Sequence, residues 1–290
     1  MQILQTIKET RQACVTARAA AAKPATIGLI PTMGALHEGH LSLIRAAKKQ
    51  CDIVVATIFV NPTQFGPNED FSRYPRTFSS DCALLEAEGV DILFAPTVED
   101  MYPNGISRTF IEVPGISERL DGLSRPGHFR GVATVVAKLF HIVSPDRAYF
   151  GQKDAAQVAV LRAMVHDLDF PVELIVCPTV RDSDGLALSS RNQYLSPEER
   201  AQALALSRSL ASVTAQVAKG IRDTAQLKSS ILQDLQFIPA LKIDYVEIVD
   251  PTTLEPIVDV QAGALIAVAA WLGKTRLIDN ALLRPLQASS

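Results

Sequence analysis

The run Asp52-Ile53-Val54-Val55-Ala56-Thr57-Ile58-Phe59-Val60 constrains this chain more than any other stretch. It is nearly continuous β-branched and apolar sequence without polar alternation, so both faces of the strand it forms must be covered. Such a strand belongs in the middle of a parallel sheet with helices above and below. Its flanks carry the same rhythm. Thr26–Ile30 predicts a strand, followed by a helix ending near Gln50; Ala83, Leu84 and Ala87 before Gly89 predict a helix; Val90–Phe94 predicts a third strand. This β-α-β-α-β order is that of an α/β, doubly wound parallel sheet. Arg108–Val113, Ala148–Phe150 and Val172–Cys177 read as further strands. Between them, Val132, Val135, Val136, Leu139, Phe140 and Val143 mark one helix, and Val158, Leu161, Val165 and Leu168 another. Residues 1–22 predict a helix at the start.

The alternation stops near Arg181. After the turn signal Asp184-Gly185, Ser196-Pro197-Glu198-Glu199 is a helix start with Ser at the cap and Pro in the first turn. A second helix at Thr224–Leu235 and two strands, Ile243–Val249 and Ala264–Leu272, complete a smaller α+β portion. Two domains are therefore expected, 1–184 and 185–290.

With 48% hydrophobic and 20% charged residues the chain is an ordinary globular protein. A net charge of −3 with no basic block argues against binding a nucleic-acid backbone. Cys14, Cys51, Cys82 and Cys177 form no CxxC pair and read as reduced thiols of a cytoplasmic protein. No apolar run reaches the roughly 20 residues of a membrane span, and Lys8, Glu9 and Arg11 leave no signal-peptide core at the start.

Chemistry is concentrated where strands end. Pro31-Thr32-Met33-Gly34-Ala35-Leu36-His37-Glu38-Gly39-His40 is a strand–turn–helix with two glycines and two histidines. Glycines admit close approach of backbone N–H groups to phosphate, and a helix start adds partial positive charge. His37 and His40 share a face; they are helix-start caps or ligand contacts, and without an HExxH spacing or a further His/Cys cluster no metal site is expected. Neither GxGxxG nor GxxxxGK[ST] is present. Asn61-Pro62-Thr63-Gln64 ends the central strand at the rim where open α/β sheets take ligands, and a loop through Gly66, Pro67 and Pro75 follows that is expected to move. In Gly151-Gln152-Lys153-Asp154, Asp154 with Gln157 matches a capping box, but Lys153 opposes the helix dipole and so calls for an anion. Leu188-Ser189-Ser190-Arg191 offers hydroxyls and a guanidinium fork suited to phosphate.

These motifs, with Phe-Val-Asn-Pro-Thr-Gln-Phe, Gly-His-Phe-Arg-Gly-Val, Phe-Gly-Gln-Lys-Asp, Asp-Gly-Leu-Ala-Leu-Ser-Ser-Arg-Asn and Thr-Arg-Leu-Ile-Asp-Asn, resemble the pantoate–β-alanine ligase family. His37-Glu38-Gly39-His40 also matches the HxGH signature of the nucleotidylyl transferase superfamily. Gln152 stands where that family often has Glu.

The resemblance implies a Rossmann-like doubly wound sheet with a smaller C-terminal α+β lid. It also implies ATP-dependent condensation of (R)-pantoate with β-alanine through pantoyl adenylate, with Mg²⁺. His40, His37, Lys153 and Arg191 would be catalytic. Met33, Gly34, Ala35, Leu36, His37, Glu38, Gly39, His40, Gly151, Gln152, Lys153, Asp154, Val180, Leu188, Ser189, Ser190 and Arg191 would contact ATP, and Gln64 and Gln157 would contact pantoate, with Gln64 also near β-alanine. It further implies a cytoplasmic homodimer. A nucleotidylyl transferase adenylating a phosphate acceptor is the alternative enzyme, and a nucleotide-binding regulator without turnover the alternative of another class.

Overall fold

The computed structural model describes residues 1–20, 25–67, 69–105 and 107–285. In chain order the elements are β1 (Gln2–Leu4), α1 (Ile7–Ala19), β2 (Ile27–Ile30), α2 (Glu38–Lys48), β3 (Ile53–Thr57), α3 (Phe78–Ala87), β4 (Ile92–Phe94), α4 (Val98–Met101), α5 (Asp121–Ser124) and α6 (His128–Val143). Then come β5 (Arg147–Gly151), α7 (Ala155–Asp167), β6 (Glu173–Cys177), α8 (Pro197–Ala218), α9 (Thr224–Gln236), β7 (Leu241–Val249), β8 (Ala264–Leu272) and β9 (Thr275–Leu283).

The first six strands form one parallel sheet in the order β1-β4-β3-β2-β5-β6. All five residues of β3 are buried, as its apolar run demands. Alternate residues serve opposite faces. Ile53 and Val55 join a core with Cys14 of α1 and the apolar sides of α6 and α7, while Val54 and Ala56 join one with Leu41, Leu43 and Ile44 of α2 and Leu85 of α3. Each fully buried Val or Ile contributes roughly 1.5–3 kcal/mol, so helix cover on both sides is what secures the sheet. The order in which strands are added reverses at β2, which has β3 on one side and β5 on the other. Open sheets receive ligands at the strand C-termini beside such a reversal.

The last three strands form an antiparallel sheet, β7-β8-β9. One face packs against Leu206, Leu210 and Val213 of α8 and Leu227 and Ile231 of α9. The other sends Leu265 and Ala267 of β8 into the core of the large sheet. The Ser196-Pro197 start of α8 forms its capping box, with Ser196 Oγ accepting from Glu199 N and Glu199 returning to Ser196 N.

Four expectations are corrected. Residues 2–4 are an edge strand beside β4, and the helix begins only at Ile7; residues 21 and 22 of the expected helix lie outside the described residues. Arg108–Val113 joins no sheet. It lies extended along α6, where Ile111 N donates to Thr134 Oγ1 and Arg130 sits over the Phe110 ring. The small sheet has a third strand, β9, which periodicity missed because Arg276, Asp279 and Asn280 interrupt its apolar pattern. The Asp154–Gln157 capping box does not form, since the Asp154 side chain makes no cap bond to α7.

Candidate active site

A cleft of about 240 Å³ opens at the C-terminal ends of β2 and β5, beside the reversal in the sheet. It continues into a larger space of about 800 Å³ toward the small sheet.

The turn after β2 forms one wall. Gly34 takes φ +80 and Ala35 φ +51, an arrangement that costs Gly little. Buried Asp81 of α3 accepts from the N–H groups of both Ala35 and Leu36, at 3.0 and 2.9 Å. Those amides are thus committed inside the protein, and the two residues shape the turn instead of donating to a ligand. Glu38 likewise points to Arg45. Neither these three residues nor Gly34 and Gln152 line the cleft, whereas Met33, His37, Gly39 and His40 do.

His37 caps α2, its Nδ1 accepting from Gly39 N at 3.1 Å; His40 Nδ1 accepts from His37 N at 3.3 Å. The rings lie 4.1 Å apart between centroids. The same two side chains therefore bond the helix start and line the cleft. Because each Nδ1 is an acceptor, each neutral ring carries its proton on Nε2. Burial, then Lys153, pushes the His37 pKa down to about 4; burial, then His37, pushes that of His40 down to about 3. A Cβ at position 39 would come within 2.8 Å of the His37 ring and push it out of its capping position.

Gln64 reaches the cleft from the helical turn after Asn61. Buried Asn61 holds it, donating to Gln64 Oε1 at 3.1 Å and to Gly131 O at 3.2 Å. Gly131 lets α6 approach, because any Cβ there would overlap the Thr63 carbonyl. His128 Nδ1 donates to Gln64 O at 2.8 Å and His128 Nε2 accepts from Arg125, so its tautomer is the reverse of that at His37 and His40. The floor beneath is apolar, formed by Phe59, Val132, Val135, Val136 and Leu139, with Gln157 of α7 at its edge.

The opposite wall carries Gly151, Lys153 and Asp154, and beyond them Val180 and Leu188–Arg191. Lys153 Nζ lies 3.7 Å from Asp154. Arg191 makes a two-pronged pair with Asp70, both bonds 2.9 Å, and its guanidinium lies over Tyr74. Burial alone would raise the Asp70 carboxyl; the Arg191 bonds outweigh it and hold its pKa below the ordinary range. Tyr74 OH meets Ser190 Oγ at 3.1 Å, and Tyr194 OH donates to Arg73 O. The 66–75 loop expected to move is thus tied at several points to the Ser190–Tyr194 segment; residue 68 lies outside the described residues.

Asp70, Tyr74, Asp81, Arg125 and His128 escaped sequence reasoning as site residues. The unusual length of the loop carrying Asp70 and Tyr74 gave one signal, and the Gly-His-Phe-Arg-Gly-Val motif that contains His128 gave another.

The three half-buried histidines make a pH prediction. Their folded pKa values, about 4 for His37 and His128 and about 3 for His40, lie below the unfolded value of about 6.5. As pH falls below 6.5 the unfolded chain takes up protons that the native state refuses. Stability is then lost by up to about 1.4 kcal/mol per pH unit for each histidine, until the folded pKa is reached. Thermal unfolding between pH 7 and 4.5 is expected to show Tm falling with pH, and His128→Asn to make that slope shallower. An unchanged slope counts against the assignment.

A doubly wound sheet with an HxGH turn at its reversal, and a Lys and an Arg across the cleft in place of a P loop, defines a nucleotide-binding α/β enzyme. The profile of the family described as pantoate-beta-alanine ligase matches residues 2–282. The chain belongs to the pantoate–β-alanine ligase family. It is 65% identical over 258 residues to a pantothenate synthetase of Acidobacterium capsulatum, covering 89% of this chain and 86% of the relative. The crystal structure of pantothenate synthetase from Thermus thermophilus superposes with a TM-score of 0.91 at 48% identity, covering 98% and 100% of the two chains. The pantoate-beta-alanine ligase of Francisella tularensis, solved with beta-gamma ATP and beta-alanine, gives a TM-score of 0.77 at 36% identity, covering 97% of each. No helix among the described residues is long and apolar enough to cross a membrane.

Proposed function

We infer that this enzyme joins (R)-pantoate to β-alanine at the expense of ATP, through a pantoyl adenylate. One observation carries the reading: His37, His40, Lys153 and Ser189–Arg191, from separate elements, line one cleft with Gln64 and Gln157 over an apolar floor.

In the first step a pantoate carboxylate oxygen bonds to the α-phosphorus and the bond to the pyrophosphate oxygen breaks. Two anions must meet, so catalysis rests on neutralising charge on the phosphoryl oxygens and the leaving group. Lys153 and Arg191 supply fixed positive charge, and Ser189 and Ser190 supply hydroxyl donors. The Nε2–H groups of His37 and His40 donate hydrogen bonds; an approaching phosphate raises their pKa values and makes His40 the proton donor to the leaving oxygen. Met33 and Val180 pack the adenosine, and Asp154 takes its ribose. The branched hydrocarbon centre of pantoate suits Val132, Val135 and Val136, with Gln64 and Gln157 bonding its hydroxyl and carboxylate oxygens. In the second step the β-alanine amine attacks the acyl carbon near Gln64, AMP leaves, and the amine loses a proton.

Mg²⁺ fits this donor set as a companion of the triphosphate, keeping waters and needing one or two carboxylates. Asp154 is the carboxylate among the residues lining the inner cleft, and the ion when bound supplies further neutralisation. We assign residues 1–184 to nucleotide and pantoate binding and 185–290 to a lid; the separate core around α8, α9 and β7–β9 supports that division. A cytoplasmic homodimer is part of the same reading, by analogy with the family.

ATP–pyrophosphate exchange with pantoate and no β-alanine tests it. Exchange that depends on pantoate is expected; a folded sample without exchange overturns the reading.

A further inference from the structure

Asn280 of β9 is 6% exposed and lies far in sequence from the motifs of the cleft. Its Nδ2 donates to Gln152 O at 3.0 Å and to Lys153 O at 2.8 Å, while its Oδ1 accepts from Gln152 Nε2 at 3.2 Å. Both Nδ2 protons are thereby used. The two carbonyls belong to the peptide planes on either side of the Lys153 Cα. Fixing both planes fixes φ and ψ of Lys153, and with them the direction in which its side chain leaves the backbone.

The turn has little else to hold it. Gln152–Asp154 is a single 3-10 turn, and Asp154 gives the following helix no side-chain cap. A lysine at a helix start stands against the helix dipole. The neighbour of Asn280 anchors the strand in its turn. Buried Asp279 accepts from Asn280 N at 2.8 Å and pairs with Arg181 through two bonds of 2.6 and 2.9 Å. One dipeptide of β9 thus fastens the segment after β6 and the turn after β5, which lie side by side on one wall of the cleft.

We propose that Asn280 is a positioning residue for adenylate formation, acting through Lys153 by clamping both of its flanking peptide planes. This rests on the assignment of Lys153 to the triphosphate. A plain staple between the two sheets would stabilise the fold and leave nucleotide affinity alone; a positioning residue changes affinity only while Lys153 is present.

A double-mutant cycle on β,γ-methylene ATP binding, read by calorimetry with Tm recorded alongside, separates the two. Asn280→Ala is expected to weaken binding about tenfold, and the Lys153→Ala, Asn280→Ala protein to bind within about twofold of Lys153→Ala alone, because coupled sites are not additive. If the two effects multiply, or Asn280→Ala lowers Tm without changing affinity, the proposal fails. If Lys153→Ala itself binds as the parent does, the phosphate assignment fails first. Asn280→Ser, which keeps one donor, takes the place of Asn280→Ala should the latter not fold; a folded Asn280→Ser protein with parental affinity also overturns the proposal.

Discussion

His40→Ala is expected to slow ATP–pyrophosphate exchange by about a thousandfold, the range seen when one donor is removed from a site of developing negative charge. His40 lines the cleft, and its Nδ1 accepts from the backbone of His37. With Nδ1 used as an acceptor, the neutral ring carries its proton on Nε2, which is the donor the proposed reaction calls on. The substitution therefore removes a directed donor and one helix-start bond together. The second loss costs about 1 kcal/mol and lowers Tm by a few degrees. His40→Gln keeps an N–H donor and should recover part of the rate. If His40→Ala exchanges as fast as the parent, the ring is a cap and nothing more.

Arg191→Ala is expected to have the second largest effect, a loss of about a hundredfold in exchange at limiting ATP. Two separate consequences follow from its pair with Asp70. The phosphates lose a planar two-pronged donor, and Asp70, with a side chain 15% exposed, keeps a charge without its partner. Removing one member of a buried pair is costly because the other is left uncompensated, so Tm should fall as well. Arg191→Ala with Asp70→Asn should restore Tm while exchange stays low. Recovery of exchange by the double variant would show that Arg191 acts only to hold the 66–75 loop.

The sheet was legible where strands are continuously apolar. Ile53–Thr57, buried throughout, and residues 174–177 of the half-buried edge strand announce themselves in this way, and the glycines and prolines at strand ends mark the turns that carry chemistry. Three residues at Gln2–Leu4 are too few to show a period. In β9 the polar residues that broke the pattern are the ones spent on distant partners: Arg276 on Asp121 and Asp244, Asp279 on Arg181, and Asn280 on the Gln152–Lys153 turn. Arg108–Val113 alternates as a strand would, yet it is α6 that it faces. The same asymmetry governs the site. His37, His40, Gln64, Lys153 and Arg191 sit in local motifs and could be read; Asp70 and Asp81 act across 121 and about 46 residues of sequence, and a single aspartate carries no spacing to betray it.

Asp81 has a consequence for the cost of nucleotide capture. An unbonded glycine-containing turn would have to be ordered when its ligand arrives, at about 1–2 kcal/mol of conformational entropy for each residue fixed. Here Ala35 and Leu36 are anchored to a buried carboxylate, and Gly34 N to Thr32 Oγ1. Their freedom is surrendered during folding, when the core formed by α2 and α3 can offset it. On the proposed reading, the histidines that follow would meet the nucleotide on a backbone already ordered, and more of the contact energy would be left to appear as affinity.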